Sequence, residues 1–195
     1  MEDRTYKLFR EGLIRDETFG ERRPHALLIE VVSSGLAPRD RVLNLHCGMG
    51  SDSLYLAQEG FVVTAVGFCA DDIEGVRKDA RAAQAKITTH IMDPAALSFG
   101  DEEFDFIADV GCIFKVDKNK RSTLLSELYR TLRRGGRMFT MLPTSSADPQ
   151  GATRSSIEEM FHPPFEILTI DESAMAKEGG KADHLYYYSI LMEKV

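Results

Sequence analysis

Apolar and polar residues follow two different periods along this chain. Short apolar runs, which are typical of buried strands, alternate with longer segments that carry an apolar stripe at helical spacing. Strands separated by helices of this length favour parallel pairing through right-handed crossovers, and therefore a doubly wound α/β sheet. The predicted strands cover 41–46, 61–66, 87–91, 104–110 and 137–142, and the predicted helices cover 25–34, 51–59, 71–86 and 118–133.

The pattern changes after residue 145. A short helix is predicted at 155–161, where Ser155 and Glu158 have the spacing of a capping box. Two strands follow at 165–170 and 184–192 without a long helix between them, which predicts an antiparallel hairpin. We therefore expect a mostly parallel, seven-stranded sheet whose last strand is antiparallel.

Charge and composition exclude several classes of protein. The formal net charge of −7, with no basic tract, argues against nucleic-acid binding. No apolar run approaches the roughly 20 residues that a membrane span needs, and the charged N-terminus lacks the apolar core of a signal peptide. The three cysteines have no CxxC spacing and the histidines are scattered, so we expect no metal site and a cytoplasmic protein.

The first predicted strand runs into a glycine turn at Gly48 and Gly50. Glycines let the backbone approach a ligand closely, and the helix that follows offers free N–H groups to an anion. A GxG turn by itself is equally consistent with a tight connection between a strand and a helix.

Four segments in order give this turn its context: VLNLHCGMG at 42–50, MDP at 92–94, FDFIADVG at 104–111 and ELYRTLRRGGR at 127–137. Together they resemble the class I S-adenosylmethionine-dependent methyltransferases, whose motifs include VLDLGCGxG and ExxRxLxPGGR. Within that family the chain looks most like the small, compact enzymes of the thiopurine and tellurite-resistance kind. The resemblance implies a Rossmann-like methyltransferase fold and S-adenosyl-L-methionine as the cofactor.

The resemblance also implies site residues. Residues 44–50 would hold the methionine half, and Asp93 would accept a hydrogen bond from the adenine amino group. The positions expected to contact the cofactor are Asn44, His46, Gly48, Gly50, Gly67, Phe68, Asp93, Pro94, Asp109 and Val110.

The substrate candidates are Gly111, Cys112, Lys115 and His25. The last three have ordinary alternatives, as a buried cysteine, a surface lysine and a helix-capping histidine. No nucleophile–base pair is evident, so no catalytic residue is predicted; methyl transfer depends mainly on aligning donor and acceptor.

Several of these positions depart from the family pattern. Asn44 replaces an acid, His46 replaces a glycine, and Gly67 replaces the Asp or Glu that holds the ribose hydroxyls. Lys115 stands where relatives often have a histidine. Because the strand and helix cores follow the family pattern, these changes indicate a ligand pocket whose binding properties have been altered or lost.

Three functions are compatible with these features to different degrees. The first is methyl transfer to a small-molecule substrate, by a monomer or homodimer. The second is a non-catalytic methyltransferase-like protein that binds a partner or a different ligand. A nicotinamide oxidoreductase is disfavoured, because Ser53 occupies the third position of GxGxxG and no acid ends the second strand.

The length of 195 residues suits a single domain. We expect an N-terminal helical cap at 1–38, a cofactor-binding core at 39–145, and a C-terminal helix and hairpin at 146–195.

Overall fold

The computed structural model describes residues 23–38, 40–45, 50–67, 70–93, 96–176 and 184–195. Its strands are β1 (Arg41–Leu45), β2 (Val62–Gly67), β3 (Ile87–Ile91), β4 (Phe104–Asp109), β5 (Leu132–Pro143), β6 (Phe165–Ala176) and β7 (His184–Lys194). Its helices within these ranges are α1 (Ala26–Ser33), α2 (Ser51–Gln58), α3 (Ala70–Ala83), α4 (Cys112–Lys115), α5 (Lys118–Thr131) and α6 (Arg154–Phe161).

The seven strands form one sheet in the order β3-β2-β1-β4-β5-β7-β6. The first five pair in parallel, while β7 runs antiparallel to both of its neighbours. The chain therefore winds outward from β1 to β3, crosses back to β4, and winds outward on the other side. The predicted fold class, a mostly parallel seven-stranded sheet with an antiparallel C-terminal hairpin, is confirmed.

Both faces of the sheet are covered, which is why neighbouring residues in its central strands, such as Val42 and Leu43, are both apolar. One face packs against α4, α5 and α6; its core includes Leu43, Ile107, Leu124, Leu128 and Ile157. The opposite face packs against α1 and α2 around Leu28, Val32, Val42, Leu56 and Phe106. A three-layer domain results, with the sheet in the middle.

The boundary between α5 and β5 lies earlier than the pattern predicts. The helix ends at Thr131, and β5 begins at Leu132 instead of residue 137. Phe104 pairs with Leu132 while Phe106 pairs with Arg137, so β5 contains a bulge opposite β4. A Cβ at Gly136 would lie 2.9 Å from the Arg133 carbonyl oxygen, so the bulge needs glycine there.

Two further local features differ from the prediction. The capping box of α6 is formed by Thr153 and Ser156 rather than by Ser155 and Glu158, because the helix begins at Arg154. The short helix α4 has no apolar stripe of its own, and the sequence pattern does not predict it. None of the described helices is both long and apolar enough to span a membrane.

Candidate functional site

The carboxyl ends of the central strands are level with one another. In the strand register Leu45 of β1 lies beside Val66 of β2 and Asp109 of β4, and Asp109 lies beside Thr140 of β5. The connections leave β1 and β4 in opposite directions, so the strand order reverses between these two strands. Ligands of doubly wound sheets bind at such a point, outside the carboxyl ends of the strands. This edge is the candidate site.

Gly50 begins α2 at this edge. Its φ of +86° lies in the left-handed region, and a Cβ there would be 2.8 Å from the Val76 Cα in α3. The first hydrogen bond of the helix joins the Leu54 amide to the Gly50 carbonyl at 2.9 Å. Glycine is therefore required both by the backbone conformation and by the close approach of α2 to α3.

Asn44, near the end of β1, is fully buried and has a hydrogen-bond partner within the protein. Its side-chain amide Nδ2 donates to the Ser53 hydroxyl oxygen at 2.9 Å, which ties β1 to the first turn of α2. A carboxylate could accept a hydrogen bond from Ser53 but could not donate one. The asparagine that replaces the family's acid thus has a structural partner.

Gly67 ends β2 and brings no carboxylate to the edge. Its carbonyl oxygen accepts a hydrogen bond from the Met92 amide at 3.0 Å, just beyond the end of β3. Four other predicted cofactor contacts lie outside the described residues, namely His46, Gly48, Phe68 and Pro94.

Asp93 follows β3 and forms an ion pair with Lys120 of α5. The Lys120 ammonium lies 3.0 Å from Oδ2 and 3.2 Å from Oδ1, and both side chains are about half exposed. The carboxylate predicted to receive the adenine amino group therefore has a cation beside it. The sequence does not identify Lys120 as a site residue, because it lies 27 residues beyond Asp93 in a predicted amphipathic helix.

Asp109, at the end of β4, is completely buried. Its Oδ2 accepts from the Thr140 hydroxyl at 2.5 Å, and its Oδ1 accepts from the Cys112 amide at 2.7 Å and the Ile113 amide at 3.3 Å. Burial raises the pKa of the Asp109 carboxyl from 3.8 to about 6, although these hydrogen bonds and nearby Lys115 oppose the rise. The side chain thus fixes the turn that leads into α4.

The substrate candidates after β4 fall into two groups. Gly111 caps the start of α4 with a φ of +78°, and Lys115 is exposed at its last turn. Cys112 is fully buried in the core, as expected for a small apolar side chain. Val110 is partly buried and packs against the core on the face of α1 and α2.

His25, the fourth substrate candidate, caps α1. Its Nδ1 accepts from the Leu27 amide at 3.3 Å, and its own backbone amide donates to the Asp52 carboxylate at 2.8 Å. The ring is largely buried. Of the two possibilities weighed for this residue, the structure shows the helix cap.

Arg121 of α5 is a further residue that the sequence pattern does not single out. It donates from Nε to the Val116 carbonyl at 2.9 Å and from Nη2 to the Phe114 carbonyl at 2.5 Å. Its guanidinium carbon also lies 4.9 Å from the centre of the Phe114 ring. The end of α4 is therefore held by α5, in the same way that its start is held by Asp109.

No group of three or more His, Cys, Asp or Glu side chains in the described part of the chain is arranged to hold a metal ion. Among the residues that the structure describes, this edge presents backbone groups, the buried Asp109 carboxyl and the Asp93–Lys120 pair.

Comparison with known proteins gives a consistent result. Residues 42–136 match a family model described as a methyltransferase domain. An uncharacterised methyltransferase from Synechocystis is 31% identical over 117 residues, or 60% of this chain and 52% of the relative. This chain therefore spans about half the length of that relative.

Solved structures share the fold at lower identity. A SAM-dependent methyltransferase from Methanosarcina mazei superposes with a TM-score of 0.72 at 19% identity, covering 92% of this chain and 99% of the other. TehB from Haemophilus influenzae gives a TM-score of 0.73 at 17% identity, covering 88% of this chain and 62% of the other. Residues 42–136 thus match a methyltransferase domain, and the described chain has the fold of a solved S-adenosylmethionine-dependent methyltransferase.

Proposed function

We propose that the chain transfers a methyl group from S-adenosylmethionine to a small-molecule acceptor. The observation that carries the proposal is the switch-point edge, where β1, β2 and β4 end level with one another beside Gly50. The match to a methyltransferase domain covers all of these strand ends. The finer assignment, to a small acceptor, rests on the net charge of −7, which opposes binding to nucleic-acid phosphates.

The described residues fit two parts of the cofactor. The amides of 51–53 precede the hydrogen-bond ladder of α2, and such amides bind a carboxylate like that of the methionine half. Asp93 offers acceptor oxygens to the amino group of adenine. Gly67 ends β2, so the ribose lacks the carboxylate that the family usually has at this position.

The absence of the ribose-binding carboxylate should reduce the free energy of cofactor binding by an amount that can be estimated. A hydrogen bond to a charged group contributes about 1.5–3 kcal/mol, so its loss weakens binding by roughly ten- to a hundredfold. A cofactor site that starts in the micromolar range would still function after such a loss. We therefore expect weak but specific binding.

When bound, S-adenosylmethionine supplies a methyl group that is already activated on a sulfonium. The protein then has to hold donor and acceptor in line and exclude water. Asp109 contributes by fixing the turn from Val110 to Ile113, which borders the edge beside the strand ends. Two of the substrate candidates lie at that border. Gly111 contributes its backbone at the start of α4, and Lys115 contributes its side chain at the end of the helix.

A second candidate function is a non-catalytic methyltransferase-like protein. Gly67 favours it, because loss of the ribose carboxylate removes an interaction that a working enzyme normally keeps. Asn44 is compatible with it as well, since its side chain is already hydrogen-bonded to Ser53.

Calorimetric titration separates these possibilities. The protein is titrated with S-adenosylmethionine, S-adenosylhomocysteine and, as a nucleotide control, NADH. Binding of both adenosyl compounds but not of NADH supports the proposed cofactor, whereas no binding of either at millimolar concentration contradicts it. Methyl-labelled S-adenosylmethionine is then incubated with a panel of alcohols, amines and thiols; binding without transfer to any of them favours the non-catalytic candidate.

A further inference from the structure

Strand β3 forms one edge of the described sheet, and no other strand in the described ranges pairs with its outer side. The amide of Met92, just after β3, donates to the Gly67 carbonyl of β2 at 3.0 Å. Because peptide groups alternate in direction along a strand, the backbone groups of Thr89 and Ile91 point away from β2. Such a row of unpaired N–H and C=O groups is a template for an additional strand.

Strand β3 lacks the features that usually protect a sheet edge, which are charged residues, proline and bulges. Its sequence, Ile87–Ile91, contains no proline, acid, lysine or arginine, and its register with β2 is regular. Ile91 is 50% exposed. The opposite edge, β6, has a bulge between Ile167 and Thr169 and carries three acidic residues. Of the two edges of the described sheet, β3 is therefore the one open to a partner strand.

A groove of about 360 Å³ lies beside β3, between this strand and α3. Its strand side is formed by Ile87 and Thr89, and its helix side includes Arg77 and Arg81. Arg77 donates from Nε to the Thr89 hydroxyl at 3.0 Å, which holds the guanidinium beside the strand. Within the described part of the chain its Nη1 and Nη2 groups have no hydrogen-bond partner. The groove thus combines cationic donors with the unpaired backbone of β3.

The charge of this region favours an anionic occupant. Residues 77–86 contain four basic residues and one acidic residue, although the whole chain has a net charge of −7. Among the residues that the structure describes, no acidic side chain lines the groove, and Arg81 has no ion-pair partner. A planar guanidinium forms paired hydrogen bonds with a carboxylate. An acidic peptide therefore suits both the backbone of the edge and the charge of the groove, whereas the net charge of the chain opposes nucleic acid.

The spacing of the two arginines matches that of alternate residues in a strand. Arg77 and Arg81 lie four residues apart on α3, a rise of about 6 Å. Alternate residues of an extended peptide lie about 6.6–6.8 Å apart and project on the same side. The helix of a crossover between parallel strands runs back along the sheet, so α3 and β3 have nearly antiparallel directions. A peptide added to β3 therefore brings two carboxylates to the two arginines when acids alternate with other residues.

We propose that the edge of β3 binds an extended acidic segment of a partner protein, which pairs with β3 as an additional strand and places carboxylates at alternate positions against Arg77 and Arg81. In this mode of recognition main-chain hydrogen bonds provide the affinity and side-chain contacts provide the specificity. Arg81 belongs to the last turn of α3, so the groove lies towards the start of β3, at the far end from the strand ends of the candidate site. The inference therefore goes beyond the proposed function and does not depend on it.

Labelled peptides test the proposal with the full chain. The parent peptide, Thr-Val-Glu-Val-Glu-Val-Thr, has alternate acids, and its dissociation constant is measured by fluorescence anisotropy. A second peptide has glutamine at both acidic positions, and a third has the same composition with the two glutamates adjacent. Two more carry backbone N-methyl groups, on the glutamates in one and on the valines in the other. One of these two sets of amides faces β3 in any added strand.

Three variants locate the site. Arg77→Gln and Arg81→Gln each remove one cation from the groove. Arg134→Gln is the matched control, because it makes the same change at an exposed position of β5. Urea unfolding compares the stability of each variant with that of wild type. Arg81→Gln should retain this stability, because Arg81 is exposed.

We expect wild type to bind the glutamine peptide and the peptide with adjacent acids about three- to tenfold more weakly than the parent. This is the worth of one or two partly exposed ion pairs. One of the two N-methylated peptides should lose binding. Arg77→Gln and Arg81→Gln should each weaken the parent by about two- to fivefold. Arg81→Gln should leave the glutamine peptide unchanged, and Arg134→Gln should change neither peptide.

Equal affinity for the parent and glutamine peptides, or full binding of both N-methylated peptides, would overturn the proposal. Absence of binding at millimolar peptide would do the same. Tighter binding of a single-stranded oligonucleotide that depends on Arg81 would overturn it in favour of nucleic acid. Sedimentation velocity of the chain alone completes the test. Association that rises with concentration and is lost in Arg81→Gln would show that a second copy of the chain occupies the edge instead.

Discussion

The Thr140 hydroxyl of β5 donates to the Asp109 carboxylate of β4 at 2.5 Å, and both residues are fully buried. The two residues are 31 positions apart in sequence and adjacent in the strand register. Since Asp109 also accepts from the first amides of α4, one carboxyl group joins two strands to the turn beside the candidate site. This group should therefore influence both stability and its dependence on pH.

Replacing Thr140 with valine tests the strand-to-strand hydrogen bond. Thr140→Val keeps the shape of the side chain but leaves one oxygen of a buried carboxylate without its donor. We expect the free energy of unfolding at pH 8 to fall by about 1–3 kcal/mol, measured by urea denaturation. Thr140→Ser, which keeps the hydroxyl, should lose less. A valine variant as stable as wild type would show that the hydrogen bond contributes nothing.

Asp109 should make stability depend on pH. The carboxyl titrates near 3.8 in the unfolded chain and near 6 in the fold, so the folded state holds more protons between these values. The stabilisation that protonated Asp109 gives the fold is complete below about pH 3.8 and is lost as pH rises through 6. The shift of about 2 pKa units corresponds to about 3 kcal/mol.

Asp109→Asn isolates this effect, because the amide cannot ionise and yet keeps an acceptor oxygen for the α4 amides. Both proteins are unfolded in urea from about pH 4 to pH 7. Over this range the free energy of unfolding of the variant, relative to that of wild type, should rise by most of about 3 kcal/mol. All other titrating groups cancel in the difference. A difference that stays constant with pH would contradict the raised pKa.

The need for glycine at the start of α2 can be measured against a second glycine. Gly50→Ala introduces a Cβ that lies 2.8 Å from the Val76 Cα, whereas Gly60, with a similar φ of +92°, has no neighbour within 4 Å. Both variants incur the cost of a left-handed alanine, about 1 kcal/mol. Thermal and urea unfolding should show Gly50→Ala to be the less stable by a further 1–3 kcal/mol or so. Equal losses would mean that α2 moves away from α3 without cost.

Gly67→Asp tests whether the pocket binds the cofactor with reduced affinity or has lost cofactor binding. If the rest of the site is competent, the new carboxylate should form charge-assisted hydrogen bonds to the ribose hydroxyls and raise the affinity for S-adenosylhomocysteine about tenfold or more. Gly67→Asn is the control of equal size without charge. No gain in titration calorimetry would favour a pocket that has lost cofactor binding, in which His46 has to be replaced by glycine as well. Reduced affinity would indicate that Gly67 makes room for a different ligand.

The central strands were predictable from sequence because both sheet faces are buried. Leu43 and Val42 point to opposite faces, and both are completely enclosed, so neighbouring positions of β1 are both apolar. The boundary at β5 was not predictable in the same way. Arg133 to Gly136 reads as the end of a helix, and only the pairing of Leu132 with Phe104 extends the strand through it.

The candidate site was predictable where a motif is local and not where it depends on distant partners. Gly50 and Gly67 are recognisable by their places after predicted strands. Thr140 lies in an apolar strand, with no signal that its hydroxyl meets Asp109. Lys120 lies among the charged residues at the start of a helix, so only its distance from Asp93 distinguishes it from a solvated surface lysine.

The position of β7 between β5 and β6 has a consequence for the order in which the fold is completed. Within the described sheet β6 pairs only with β7, which comes later in the chain. During synthesis β6 therefore leaves the ribosome before its partner, with an unpaired strand edge that invites pairing with other chains. We infer that β6 and β7 dock onto β5 as one hairpin, and that this half of the sheet forms after the β1–β4 half that carries Gly50.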